Sequence, residues 1–176
     1  MTSGATAPPA FTLPAALLSQ GFALRPETDD DLPFLMSLYA STREDELAPA
    51  PWTPEQKAAF LAQQFQAQRH HYRTHFAGCA FDVITHDGVP AGRLYLDTGP
   101  TSLHLIDIAL MPAWRGRGVG GAILQALMVT ASDSSRRIVA HVEKFNPALR
   151  LYRRLGFVDV ADLDVYLEIK WPPGET

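Results

Sequence analysis

Residues 103–110 (LHLIDIAL) form an almost unbroken apolar run of strand length. A strand with so little polar surface must be covered on both faces, so it belongs inside a sheet with helices on either side. The run ends in the turn Met111-Pro-Ala-Trp-Arg-Gly-Arg-Gly-Val-Gly-Gly121. From about residue 118, Val119, Ile123 and Leu127 recur four apart, the spacing of a helix with one buried stripe. A buried strand, a glycine-rich turn and a helix in that order limit the chain to a mixed α/β fold.

The flanking segments agree with that class. Phe22 to Arg25 reads as a short strand. Thr28 or Asp29 can cap a helix carrying Leu32, Leu35, Met36 and Tyr39. Thr53, Pro54 and Gln56 spell a capping box for a second helix, which runs to about residue 72. Residues 79–86 and 91–96 flank Asp87-Gly88, a hairpin signal. Residues 137–142 form another strand, Asn146 and Pro147 open a last helix that Gly156 stops, and 163–169 is the final strand. The 176 residues fit one domain over 21–170, between a flexible or surface-wrapped lead-in at 1–20 and a tail at 171–176. The lead-in lacks a basic n-region and its prolines break the apolar part, so it does not read as a signal peptide.

The glycine turn is suited to hold an anion. Glycines let the backbone approach a ligand closely. The first N–H groups of the helix have no internal partner, and the helix dipole adds positive potential. Arg115 and Arg117 add charge. Gly116-x-Gly118-x-x-Gly121, with Glu143 further on, formally matches a dinucleotide fingerprint. In that motif, however, the glycines follow the strand almost directly and stand early in a long βαβ series. Here Met111 to Arg115 intervene, and only about 55 residues remain.

Read instead as Arg115-x-x-Gly118-x-Gly120, the turn resembles the acyl-CoA signature of the GNAT-type N-acetyltransferase superfamily. Asn146-Pro-Ala148-x-x-x-Tyr152-x-x-x-Gly156-Phe157 resembles the segment after that family's fifth strand. The order and separation of the two segments also match. The resemblance implies a mixed, mostly antiparallel sheet of six or seven strands with helices on both faces, its fourth and fifth strands diverging to form a cofactor cleft. It implies acetyl-CoA as co-substrate, with no metal. Arg115 and the backbone of Gly116, Arg117, Gly118, Val119, Gly120 and Gly121 would hold the pyrophosphate. Ile108, Ala109 and Leu110 would pair with the pantetheine arm as an added strand, Asn146 would touch that arm, and Tyr152 would stand near the thioester sulfur.

Amine acetylation needs a neutral amine and a leaving thiolate, hence a base, an acid and oxyanion donors. Tyr152 is the acid candidate, although it also fits the apolar stripe Ala148, Leu151, Leu155 of its helix. Asp107 is the first base candidate. Simple alternation puts it on one face with Leu105 and Ala109, where a carboxylate is costly unless solvated or paired. The resemblance sets it at an acidic position of the fourth strand. His141 is the second, sharing a face with Glu143, where some members of that family carry a glutamate. His70, His71 and His75 lack a cysteine or acidic partner for a metal site. Cys79 reads as a strand residue without a chemical role. The acidic run Arg43 to Glu46 reads as a solvated loop, which the resemblance sets beside the acceptor site.

The expected function is transfer of acetyl from acetyl-CoA to a primary amine by direct attack in a ternary complex. The alternative is an acyl-CoA-binding regulatory or structural module without turnover. A net charge of −4 argues against a partner held through nucleic-acid phosphates, and no apolar run reaches membrane-spanning length. One cysteine fits a reducing cytoplasm. The acceptor is expected to be an amine-bearing small molecule or a protein N-terminus or lysine, and the exposed late strands suit a homodimer.

Overall fold

The computed structural model describes residues 11–172. Helix α1 (Ala15–Ser19) is followed by β1 (Phe22–Pro26), α2 (Leu32–Leu47), α3 (Pro54–His75), β2 (Ala80–His86), β3 (Val89–Thr98) and β4 (Ser102–Leu110). Then come α4 (Val119–Asp133), β5 (Arg137–Glu143), α5 (Leu149–Arg154), β6 (Val158–Leu163) and β7 (Tyr166–Trp171). The seven strands make one sheet in the order β1-β2-β3-β4-β5-β7-β6. Every neighbouring pair is antiparallel except β4 and β5.

The expected sheet, with helices on both faces, is therefore present. On one face α1, α4 and α5 pack Leu17, Val119, Ile123, Leu127, Ala131, Leu149 and Tyr152 onto Leu94, Leu96, Leu103, Leu105, Ile138 and Ala140. The other face carries α2 and α3, joined to each other through Leu35, Tyr39 and Phe65. Thr53 caps α3 as its sequence predicts, donating its backbone N–H to Gln56 and accepting the Gln56 N–H in return.

Two local readings change, the last strand and the run Arg43 to Glu46, and part of the lead-in packs on the core. Residues 163–169 are not one strand: Asp164 turns the chain at φ 69° and divides it into the β6–β7 hairpin. The turn is held by the Asp164 N–H donating to Asp162 Oδ1 at 3.1 Å, an Asx turn that needs no glycine. Within the lead-in, Leu13 and Leu17 are buried in the core beside Phe22, while residues 1–10 lie outside the described residues. The run Arg43 to Glu46 is not a loop but the last turns of α2.

The start of α2 gives a pH-dependent test. Asp31 is buried, accepts two bonds of 2.7 Å from the Arg25 guanidinium, and accepts the Thr28 N–H at 2.8 Å. The Arg25 bonds hold its carboxyl down at about 2. A carboxyl depressed by folding stabilises the fold above its unfolded value near ~3.9, and that contribution is lost as pH falls through the folded value. Because Arg25 is partly exposed, solvent screening trims the gain. Asp31→Asn is expected to cost about 1–2 kcal/mol at pH 7. The gap should close between about pH 4 and pH 2, read from urea midpoints. A gap that stays constant over that range would remove the ion pair as its cause.

Candidate active site

β4 and β5 pair only from Ser102–Arg137 to Leu105–Ala140. Beyond that rung the two strands part, so the β4 edge facing β5 has no strand partner from Ile106 to Leu110, where Ile108, Ala109 and Leu110 lie. The parting coincides with an irregularity in β4. Tyr95 pairs with Asp107 but Leu96 pairs with Leu105, so Ile106 is an extra, bulged residue. The bulge corrects the simple alternation. Leu105 points into the core under α4, whereas Asp107 is turned to the opposite face, under α3.

Asp107 is satisfied there. Its Oδ2 accepts Arg93 Nη2 at 2.7 Å and the Tyr72 hydroxyl at 3.1 Å. Arg93 also donates to Gln68 Oε1 at 2.9 Å. No bond to Asp107 Oδ1 is formed among the described residues, which leaves that oxygen open to a ligand. Burial, with the Asp107 charge beside it, pushes the Tyr72 hydroxyl far up, so it stays a proton donor. Next to this group, Glu27 accepts from Tyr95, Arg69 and Arg73. Burial alone would raise Glu27, but those three donors override it and hold it below its ordinary value.

The glycine turn sits at the end of β4. Gly118 adopts φ +83° at the head of α4, a conformation that favours glycine. The first helical N–H with a backbone acceptor is that of Ala122, which donates to Gly118 O at 3.0 Å. The N–H groups of Val119, Gly120 and Gly121 are therefore unclaimed by the helix. A Cβ on Gly120 would meet only Leu110 Cδ1 at 3.9 Å, so the protein's own packing does not require glycine there. Arg115 is a brace: its Nε donates to Leu110 O at 2.9 Å and its Nη2 to Ser41 Oγ at 2.8 Å, tying the turn to β4 and α2. Arg117 lies over the Trp114 ring and keeps its guanidinium at the exposed rim beside Gly116.

On the other side of the parting, Asn146 Oδ1 accepts the Ala148 N–H at 2.9 Å, but the regular helix begins only at Leu149. Tyr152 is buried, its ring edge-on to Phe157 at 5.2 Å. Burial, aided by the Asp107 charge, pushes its hydroxyl well above the ordinary phenol range. His141 lies on the α3 side with Glu143, as alternation predicts. Glu143 is held by both Arg43 nitrogens at 2.7 and 2.9 Å, which ties α2 to the end of β5. Cys79 is half-buried and its thiol is pushed up to about 12 by burial, which suits no nucleophile at neutral pH. His71 and His75 stack at 4.3 Å on the last turn of α3.

The turn, the parted strands and Tyr152 were legible as candidates; Arg93, Tyr72, Arg43 and His104 were not. The one available signal was a charged Arg93 inside an otherwise apolar strand, since such a residue needs a buried partner.

Residues 35–157 match the sequence model of the acetyltransferase (GNAT) family. No curated protein matches the chain. Among solved structures, the PaiA N-acetyltransferase of Thermoplasma acidophilum in complex with coenzyme A aligns at TM-score 0.62 and 13% identity, over 85% of this chain and 97% of that one. An acetyltransferase of Thermus thermophilus aligns at 0.62 and 20%, over 86% and 97%. The ribosomal-protein-S18-alanine N-acetyltransferase of Escherichia coli aligns at 0.55 and 17%, over 85% and 92%. At these identities the likeness is one of fold.

Proposed function

The chain belongs to the acetyltransferase (GNAT) family, and from that premise we propose that it moves acetyl from acetyl-CoA to a primary amine by direct attack in a ternary complex. The observation that carries this reading is the unpartnered β4 edge beyond Leu105, followed in the chain by the unclaimed N–H groups at the start of α4.

The N–H groups from Arg117 to Gly121 would hold the pyrophosphate, and Arg117 would add charge at the rim. Arg115, fixed by Leu110 O and Ser41, would shape the turn rather than pair with the ligand. The free β4 edge at Ile108, Ala109 and Leu110 would pair with the pantetheine arm, with Asn146 touching it from the other side. The amine attacks the thioester carbonyl, the carbon–sulfur bond breaks, and the sulfur leaves with the bonding pair. Tyr152, kept protonated by burial, would donate to that sulfur and recover a proton through water from the nitrogen that becomes the amide. Asp107, its Oδ2 occupied by Arg93 and Tyr72, would offer Oδ1 to the incoming ammonium. Asp107 and His141 lie on the α3 side of the sheet, so an amine arriving from there would lose its proton through water to a group of that face.

The acceptor in this reading is a small-molecule amine or a protein N-terminus or lysine. The acidic end of α2 borders its approach, with Glu44 exposed and Arg43 turned inward. A homodimer would use the exposed Val160, Leu163 and Val165 of the β6–β7 hairpin. No helix among the described residues is long and apolar enough to cross a membrane, and a cytoplasmic location goes with this reading.

The direct test is thiol release from acetyl-CoA with a panel of amines. CoA binding without release for any amine would mark a binding module instead. Tyr152→Phe keeps the ring packed on Phe157 but removes the proton. We expect kcat to fall at least ~10-fold with acetyl-CoA affinity little changed. A normal kcat, with chemistry limiting, would assign Tyr152 to packing alone.

A further inference from the structure

His104 of β4 and His141 of β5 meet where the two strands part. His104 belongs to the second-last rung of the ladder, and His141 follows the last one. His104 Nε2 lies 3.2 Å from His141 Nδ1. His141 Nε2 in turn lies 3.4 Å from Glu168 Oε2, its rung partner on β7, whose other oxygen holds Lys170 at 2.9 Å. The Phe76 ring covers His104 edge-on at 5.3 Å, and Asp97 of β3 is the rung partner of His104.

These contacts favour one placement of the hydrogens. A ring nitrogen beside a carboxylate oxygen carries its hydrogen, so neutral His141 is protonated on Nε2 and bears a lone pair on Nδ1. Only an N–H can face that lone pair at 3.2 Å, so His104 donates from Nε2. The basic lone pair of the chain Glu168–His141–His104 is thereby delivered to His104 Nδ1, which no group bonds among the described residues. Burial holds His104 below the ordinary histidine value, which keeps it an unprotonated base near neutral pH. Asp97 and Glu168 act in the opposite sense.

We infer that His104, oriented by His141 and Glu168, takes up the proton that the acceptor ammonium loses through water before attack. The inference rests on the acetyl-transfer reading and moves the basic nitrogen from His141 to its neighbour. In the step, a bridging water gives a proton to His104 Nδ1 and takes one from the ammonium. The amine is left neutral, and the imidazolium is stabilised by Asp97 and Glu168 until it releases its proton to solvent. His104 acts through water, so it positions and accepts a proton without touching the thioester.

The test is the pH profile of kcat/KM from about pH 5.5 to 9.5, with acetyl-CoA and the amine giving the fastest thiol release. The wild type should rise along one limb. His104→Gln should remove that limb and lower kcat/KM at least ~10-fold. Glu168→Gln removes an anion that favours the imidazolium, so the limb should move to lower pH. His141→Phe removes the lone pair that accepts the His104 N–H, so the limb should likewise move to lower pH. A shift of the same sign from Glu168, which does not touch His104, is not produced by mere loss of packing around His104. Nitrogen NMR of histidine-labelled protein gives a readout that needs no acceptor, and neutral His104 should be the Nε2–H tautomer. The Nδ1–H tautomer, or a wild-type limb in His104→Gln, overturns the inference. Failure of the acetyl-transfer reading shows separately, as wild-type protein that binds CoA and releases no thiol; the inference then falls with it.

Discussion

Gly120→Trp should abolish measurable binding of CoA and acetyl-CoA while the protein stays folded. The two halves of that expectation have separate causes. Gly118 needs its left-handed backbone, so any side chain there adds strain of about 1–2 kcal/mol and confuses binding with folding. Gly120 is different. It lies inside the first turn of α4, and a Cβ on it meets only Leu110 Cδ1 at ordinary contact distance. Trading glycine for tryptophan in a helix even gains a few tenths of a kcal/mol in propensity. The indole would instead fill the space into which the Val119, Gly120 and Gly121 N–H groups point, where the proposed reading sets the pyrophosphate. Calorimetry should therefore show a loss of affinity of at least ~100-fold, about 2.7 kcal/mol, at an unchanged melting temperature. Unchanged affinity in a folded variant would remove the turn as the cofactor site.

The parts of the fold that could be read in advance are those whose cause is local. LHLIDIAL is a central strand because eight neighbouring residues say so. Thr53, Pro54 and Gln56 start α3 through bonds that span three residues. Asp87-Gly88 makes its hairpin through two positive φ angles that those two residues tolerate. Misreadings arose where the cause is not local or leaves no periodic trace. α1 has five residues, too few for a helical period, and is held by burying Leu13 and Leu17 rather than by its own pattern. The β6–β7 turn has no glycine or proline; Asp162 and Asp164 build it from one side-chain bond. The Ile106 bulge depends on how β3 and β4 register, which neither strand's sequence states.

The same division runs through the site. The glycine turn was legible because its conformation, ahead of a helix start, is a property of a dozen consecutive residues. The groups around Asp107 were not, because they meet only in the fold: Tyr72 comes from α3, Arg93 from β3, and Arg43 reaches Glu143 across 100 positions. His104 was hidden for a further reason. Within LHLIDIAL it looks like one polar interruption of a buried strand, and only the parallel pairing of β4 with β5 places it against His141.

Arg93→Met is expected to cost about 3 kcal/mol of stability, far more than the ordinary loss of an arginine from a surface. Its side chain is only 5% exposed, and it is the cation that balances Asp107, itself 15% exposed. Methionine replaces the aliphatic stem well enough, so the cost comes from leaving the Asp107 carboxylate nearly buried with only the Tyr72 hydroxyl to bond it, and Gln68 without its donor. Adding Asp107→Asn to the same protein removes the stranded charge and should recover at least half of the loss, a coupling that urea unfolding of the four proteins would measure directly. A loss below about 1 kcal/mol would mean that Asp107 obtains its solvation from the cleft and not from Arg93. If the coupling is found, the pair explains why a carboxylate can stand at the parting of β4 and β5. Arg93 and Tyr72 hold Oδ2 in place from beneath α3, and in the proposed reading Oδ1 is left for the incoming amine.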